Sequence, residues 1–337
     1  MLMRTILSSA VATILLTSTS AAAQVPADDA AQGDDIVVTG EKSNRSLQDT
    51  TTSVAVTTSA RIEQENVQTI QDIYNRTANV GETYGSAGFT IRGIANTGVG
   101  GGGNADTATV YVDGAPIPGI ALFGGPTDLW DVAQVEILRG PQSTIQGLNA
   151  LAGAVVLTTR DASTTDHSSD ARVLWTDRND RTFSAAVGGP IVADQFGFRV
   201  SGERRNDRGV IRNVTRGGYD DAMRSLNLRG KLKWTPTELP GLEVQASYNR
   251  VRRDGGYLFA YARTDVPDVY GRRTSTSDAP SRGDVRSDIA VLNVGYEIAP
   301  RLRLSSVTSF NRAATLAQTD ADGTAADVQF ISNDSRY

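Results

Sequence analysis

The sequence predicts a small α+β domain followed by antiparallel transmembrane β-strands that form an incomplete barrel of about eight strands. Three observations carry this. The charge balance shifts near residue 160: residues 24–160 hold 7 Lys+Arg against 15 Asp+Glu, a net of −8, and residues 161–337 hold 25 against 23, a net of +2. Beyond that point apolar and charged residues alternate with a period of two, giving strands with one charged face. The connections there alternate between short turns and long polar loops, as in outer-membrane barrels.

Composition narrows the chemistry. The chain has 337 residues, no cysteine and one histidine, His167. Disulfide scaffolds, thiolate zinc sites and cysteine nucleophiles are excluded, as is any metal site that needs two imidazoles. At 39% apolar and 21% charged it is neither an acidic disordered chain nor a helical membrane protein. No basic stripe interleaved with aromatics is present, so no nucleic-acid partner is expected.

Residues 1–23 read as a signal peptide: Arg4 is the positive start, Ile6 to Leu16 a short apolar core, and Ala21-Ala22-Ala23 the small residues before a cleavage site. Residues 24–47 form a flexible, acidic tether with Asp28, Asp29, Asp34 and Asp35. Within it lies Asp35-Ile36-Val37-Val38-Thr39-Gly40. Ile-Val-Val is strongly β-prone yet stranded in polar sequence. Two readings stay open: strand addition to the sheet edge of a partner, or the first strand of the domain that follows.

Residues 48–160 form that domain. Ser53 to Val56 is a short strand; Ser59 caps a helix from about Ala60; Thr69-x-x-Asp72 starts a second helix with Ile70, Ile73 and Tyr74 on one face. Phe89 to Gly93, Ala108 to Val112 with the turn Asp113-Gly114, Val135 to Pro141 and Ala154 to Thr159 are strands. Gly98 to Gly103 satisfies G-x-G-x-x-G, but a strand follows it, so no helix N-terminus is there to hold a pyrophosphate. Five glycines in six residues make a mobile loop of the kind that meets ligands. His167 sits in a polar linker with no nucleophile turn nearby, so no catalytic group and no enzyme is expected.

These pieces in this order resemble the N-terminal part of TonB-dependent outer-membrane receptors. Residues 35–40 resemble their TonB box. Thr69 to Ile73, Phe89 to Gly93, Val110 to Gly114 and Val135 to Thr144, followed by Gly147 and Gly153-Ala154-Val155, resemble successive plug-domain motifs. Gln146-Gly147-Leu148 departs from the Tyr-Gly-Arg usual in the family. The resemblance implies that Asp35, Ile36, Val37, Val38 and Thr39 bind TonB. It also implies that Tyr84, Gly85, Ser86, Asn96, Gly98, Gly100, Gly101 and Asn104 at the plug tips meet the ligand. Arg92 and Arg139 would pair with carboxylates of the barrel wall.

Residues 161–337 read as the N-terminal portion of that barrel. Leu226, Leu228, Leu232 and Trp234 share one face while Asn227, Arg229, Lys231 and Lys233 share the other. Phe196-Phe198-Val200, Val244-Ala246-Tyr248 and Ala290 to Ile298 continue the pattern, with Trp175, Trp234 and Tyr296 fitting an interfacial girdle. A soluble sandwich would leave the charged face unsatisfied. The resemblance implies 22 strands around the plug, which at about 10 residues each need about 220 residues, and only 177 are present, so a fragment or truncated reading frame is expected. The function that follows is active import of a scarce ligand, most often a ferric siderophore in this family, across a Gram-negative outer membrane. TonB and its inner-membrane energising complex would be the partner, with no cofactor. The alternative is a truncated, non-transporting fragment.

Overall fold

The computed structural model describes residues 37–40, 45–83, 88–96, 106–122, 128–142, 150–177, 180–256, 262–268, 271–300, 302–328 and 330–336. The signal peptide, most of the tether and the tip residues Tyr84, Gly85, Ser86, Gly98, Gly100, Gly101 and Asn104 lie outside the described residues. From Val37 onward the chain forms one compact unit.

The first part of that unit is the α+β domain. Its elements are β1 (Val37–Val38), β2 (Arg45–Ser46), β3 (Val54–Thr58), α1 (Ser59–Gln64), α2 (Ile70–Arg76), β4 (Val80–Glu82), β5 (Phe89–Ile91), β6 (Ile94–Ala95), β7 (Ala108–Val112), β8 (Ala115–Ile117), α3 (Gly119–Leu122), β9 (Val132–Arg139) and β10 (Gly153–Thr159). A five-stranded sheet runs β3-β9-β10-β7-β8, parallel only between β10 and β7, and β4-β5-β6 form a second sheet. The α1 cap is Thr58, one residue before the expected Ser59. The α2 start is as its sequence suggests: Thr69 and Asp72 form a reciprocal capping box, which orients Ile70, Ile73 and Tyr74 into the core. There Tyr74 stacks on Phe89 with ring centroids 4.9 Å apart.

The wall follows: β11 (Ser168–Trp175), β12 (Arg181–Val192), β13 (Phe196–Asp207), β14 (Arg212–Asn213), β15 (Met223–Trp234), β16 (Leu242–Gly255), β17 (Thr274–Ser275), β18 (Arg282–Ala299), β19 (Leu302–Asp320) and β20 (Phe330–Arg336). Eight of these make one antiparallel sheet, β11-β12-β13-β15-β16-β18-β19-β20, while β14 and β17 pair between the two long loops. The sheet is inverted relative to a soluble fold. Phe183, Val200, Leu228, Leu232, Leu292 and Phe310 point outward and are exposed, whereas Arg199, Glu203, Asn227, Arg229 and Lys231 point inward and are buried. Lipid on one side and a polar domain on the other satisfy that pattern.

One departure from strict alternation has a clear cause. Ile289 and Val291 of β18 and Ala313 of β19 face inward, yet they are apolar and join the hydrophobic core of the domain. The inner side of the wall is apolar where β18 and β19 meet the core of the domain and polar where β13 and β15 meet it.

Gly153 shows how tightly the sheet is built. Its φ is +151°, and a Cβ there would lie 2.2 Å from the Leu138 carbonyl oxygen. Gly153→Ala should destabilise the domain by at least about 2 kcal/mol, measured as a lower urea midpoint and faster proteolysis of residues 46–154.

Candidate functional site

Two sites emerge, one holding residues 37–40 and one joining domain to wall. The first rests on Glu136 of β9, fully buried within the five-stranded sheet. A carboxylate so placed needs donors, and the chain brings them from nearly a hundred residues away. Thr39 donates from its amide at 3.0 Å and its hydroxyl at 2.6 Å, and the Gly40 amide donates at 2.9 Å. Gln134 donates both to Glu136 at 2.7 Å and to the Val37 carbonyl at 3.1 Å. Val38 is buried while Val37 is exposed.

Gly40 is required there: a Cβ would sit 2.7 Å from Leu138 Cδ1 and 3.0 Å from Glu136 Oε2. Val37 and Val38 pair with β2 alone, outside the main sheet. The segment is therefore not a strand of the domain's sheet; it is docked on it through side chains. Asp35 and Ile36 lie outside the described residues. The run Val135-Glu136-Ile137 carried this signal in sequence, since a lone acid inside an apolar strand demands a partner, but nothing local named that partner.

The second site is a polar seam in which the domain supplies carboxylates and the wall supplies cations. Arg199 Nε of β13 donates to Asp131 Oδ1 at 2.8 Å, with Ser168 and Asp170 completing its shell. Lys231 of β15 reaches Asp113 at 3.2 Å, Asp161 at 3.1 Å and the Thr159 carbonyl at 3.0 Å. Arg229 donates to the carbonyls of Trp130 and Asp128. Arg199 and Lys231 are cross-strand neighbours, so the register itself concentrates positive charge opposite the acids.

The expected polarity is thus reversed for the strands present. Arg92 is exposed at φ +52°, and Arg139 donates at 3.2 Å to the Ala78 carbonyl within the domain. Neither makes an ion pair with the wall among the described residues, because the turns that approach these eight strands carry Asp113 and Asp131 instead. Asn96 also differs from a tip residue: it is buried, and its Oδ1 accepts from the Phe89 amide at 2.9 Å, bracing the β5–β6 hairpin. His167 is exposed, as expected of a linker residue.

Asp128 stands next to this seam. Burial, then the nearby Glu203 carboxylate, pushes its pKa up to about 6, partly offset by Arg205, Arg229 and Arg253. The unfolded carboxyl ionises near 3.8. Between these values the folded form holds the extra proton, so stability falls as pH rises through the window and the penalty is complete above it.

The comparisons with known proteins agree with this architecture. Residues 46–154 match the TonB-dependent Receptor Plug Domain family. The ferrioxamine receptor of Yersinia enterocolitica is 24% identical over 237 residues, covering 69% of this chain and 31% of that receptor. Among solved structures, the ferripyoverdine receptor of the Pseudomonas aeruginosa outer membrane superposes with a TM-score of 0.71 at 12% identity, over 89% of this chain and 40% of its own. The ferric yersiniabactin uptake receptor FyuA of Yersinia pestis gives 0.67 at 19% identity, over 79% of this chain and 42% of its own. The chain therefore spans about a third of the length of the curated relative and about two fifths of these solved receptors.

Two outcomes follow from the seam. Arg199→Met leaves Asp131 buried without its partner and should cost about 3–5 kcal/mol, seen as a lower urea midpoint; Arg199→Met with Asp131→Asn, which removes the charge and tolerates the φ of +61° there, should regain part of the loss. Asp128→Asn should flatten the pH dependence of that midpoint between pH 4 and 6, the window set by the shifted carboxyl.

Proposed function

We propose that this chain, a TonB-dependent receptor plug domain joined to the opening strands of an outer-membrane barrel, serves energy-coupled import of a scarce ligand, a ferric siderophore. The observation that carries the reading is the grip of Glu136 on Thr39 and Gly40. A β-prone segment held by side chains on the sheet face, and not by the main-chain ladder of that sheet, can be released without dismantling the domain. Once free it has an unpaired strand edge to offer, and TonB is the partner that this edge would meet.

The ligand assignment draws on the relatives, named as receptors for ferrioxamine, ferripyoverdine and ferric yersiniabactin. The plug tips around Tyr84 to Ser86 and Gly98 to Asn104 are the proposed contacts, and Arg92 and Arg139 the proposed partners of wall carboxylates beyond the eight strands seen here. Residues 1–23 are proposed to direct export, and residues 24–47 to reach into the periplasm. Import needs a wall closed around the plug, and in this chain β11 and β20 do not pair. A product with only this much wall would retain the docked segment and bind TonB without transporting.

The test is site-directed cross-linking from position 37 to TonB. Glu136→Gln removes acceptor capacity at the dock and should raise ligand-independent cross-linking roughly tenfold; an unchanged level would sink the release mechanism. Val37→Pro should abolish ligand-stimulated cross-linking, since proline removes a ladder donor. Deleting Gly98 to Gly103 should weaken binding of ferric chelates and spare assembly.

A further inference from the structure

Three long connections of the wall lie at one end of it and belong to successive hairpins: residues 208–222 between β13 and β15, 256–281 between β16 and β18, and 321–329 between β19 and β20. Surface connections of this length ordinarily move on their own. Here the middle one is a joint between the other two. Its β17 pairs in parallel with β14 of the first connection, with the Arg212 amide donating to the Arg273 carbonyl at 3.0 Å and the Val214 amide to the Ser275 carbonyl at 2.9 Å.

The next two residues, Thr276 and Ser277, serve both neighbours at once. Their carbonyls serve the first connection: Thr276 accepts from the Thr215 hydroxyl at 2.7 Å, and Ser277 accepts from Asn213 Nδ2 at 2.8 Å and Arg216 Nε at 3.3 Å. Their hydroxyls serve the third hairpin: Thr276 donates to the Gly323 carbonyl at 3.0 Å, and Ser277 to Asp320 Oδ2 at 2.8 Å. The Asp278 amide adds a shared bond to Asp320 Oδ2 at 3.2 Å and the Thr324 carbonyl at 3.0 Å.

This knot is polar and withdrawn from water. Asn213, Asp220, Ser275, Ser277 and Asp320 are all buried. Asp220 is answered by Asn213 and Arg216 within its own connection. Asp320 makes no ion pair among the described residues and is held by neutral donors: the Ser277 hydroxyl, and the amides of Asp278, Asp322 at 3.0 Å and Gly323 at 2.9 Å. Two of those four donors come from the middle connection. A buried carboxylate stripped of half its donors is costly, so the third hairpin cannot part from the middle connection cheaply. The middle connection in turn cannot shift without pulling Asn213 and Thr215 of the first. A network in which each member satisfies the next is held or lost together.

We infer that these three connections form one cooperative cap, coupled through Thr276 and Ser277, which opens as a unit and gives this end of the wall a fixed rim in place of three independent flaps. A body that engages one connection thereby acts on all three. The inference rests on neither the identity of the imported ligand nor TonB.

The experiment is amide hydrogen exchange read by mass spectrometry on the full chain in uncharged detergent micelles, with β content followed by circular dichroism. Thr276→Val with Ser277→Ala removes both hydroxyls and leaves both carbonyls, so it cuts only the link to the third hairpin. The amides of Arg212 and Val214 keep their own acceptors, yet they should exchange roughly tenfold faster. In the opposite direction, Asn213→Ala should speed exchange at the Asp278 amide by a similar factor. Unchanged exchange at 212–214 in the first variant, or at 278 in the second, means connections that move separately and overturns the proposal. Should a variant lose its β signal, the wild type decides: at alkaline pH, where opening limits exchange, peptides covering 210–218, 274–280 and 321–326 should convert with a single rate constant. Three distinct rates overturn the coupling.

Discussion

The structure depends on charge complementarity across a curved seam. The plug presents Asp113 and Asp131, and the wall answers with Lys231 and Arg199, adjacent in one rung. Both partners are withdrawn from water there, so each is costly alone and tolerable only together. This gives the charge split of the sequence a structural reason. An acidic N-terminal part and a mildly basic remainder are two halves of one interface.

Around that seam the apolar parts divide their labour. Tyr74, Phe89 and the β9–β10 core hold the plug together, and the same cluster takes in Ile289, Val291 and Ala313 from the wall. Polar pairing fixes where the plug sits against β13 and β15, and apolar packing fixes it against β18 and β19. Asp113 ties both regions together: its carboxylate accepts from Thr159 and Lys231, and its carbonyl accepts from Asn293.

Local pattern carried most of the architecture. Alternation at residues 226–234 revealed which face meets lipid, because a period of two survives any amount of tertiary detail. The Thr69/Asp72 capping box and the Asp113-Gly114 turn were legible because their geometry is set within four residues. The functional contacts were less so. Glu136 is read as a motif residue in sequence, while its partners lie nearly a hundred residues upstream. The plug arginines drew attention as charges, yet the acids of the tight turns face the strands present here. Short elements such as β4, β6, β8 and α3 exist only through the packing of their neighbours, and two to four residues carry no period to detect.

The position of β3 has a mechanical consequence. It is an edge strand of the five-stranded sheet, bonded on one side only, to β9, over five residue pairs. It is also the first strand of that sheet that tension entering from the N-terminal side would reach. Such a load unzips one border ladder bond by bond before it tests the two inner ladders, β9–β10 and β10–β7, and the Asp113 anchor in the β7–β8 turn lies on the far side of them. Under such a load the sheet would yield first at β3 and last at the β7–β8 turn, where Asp113 meets the wall.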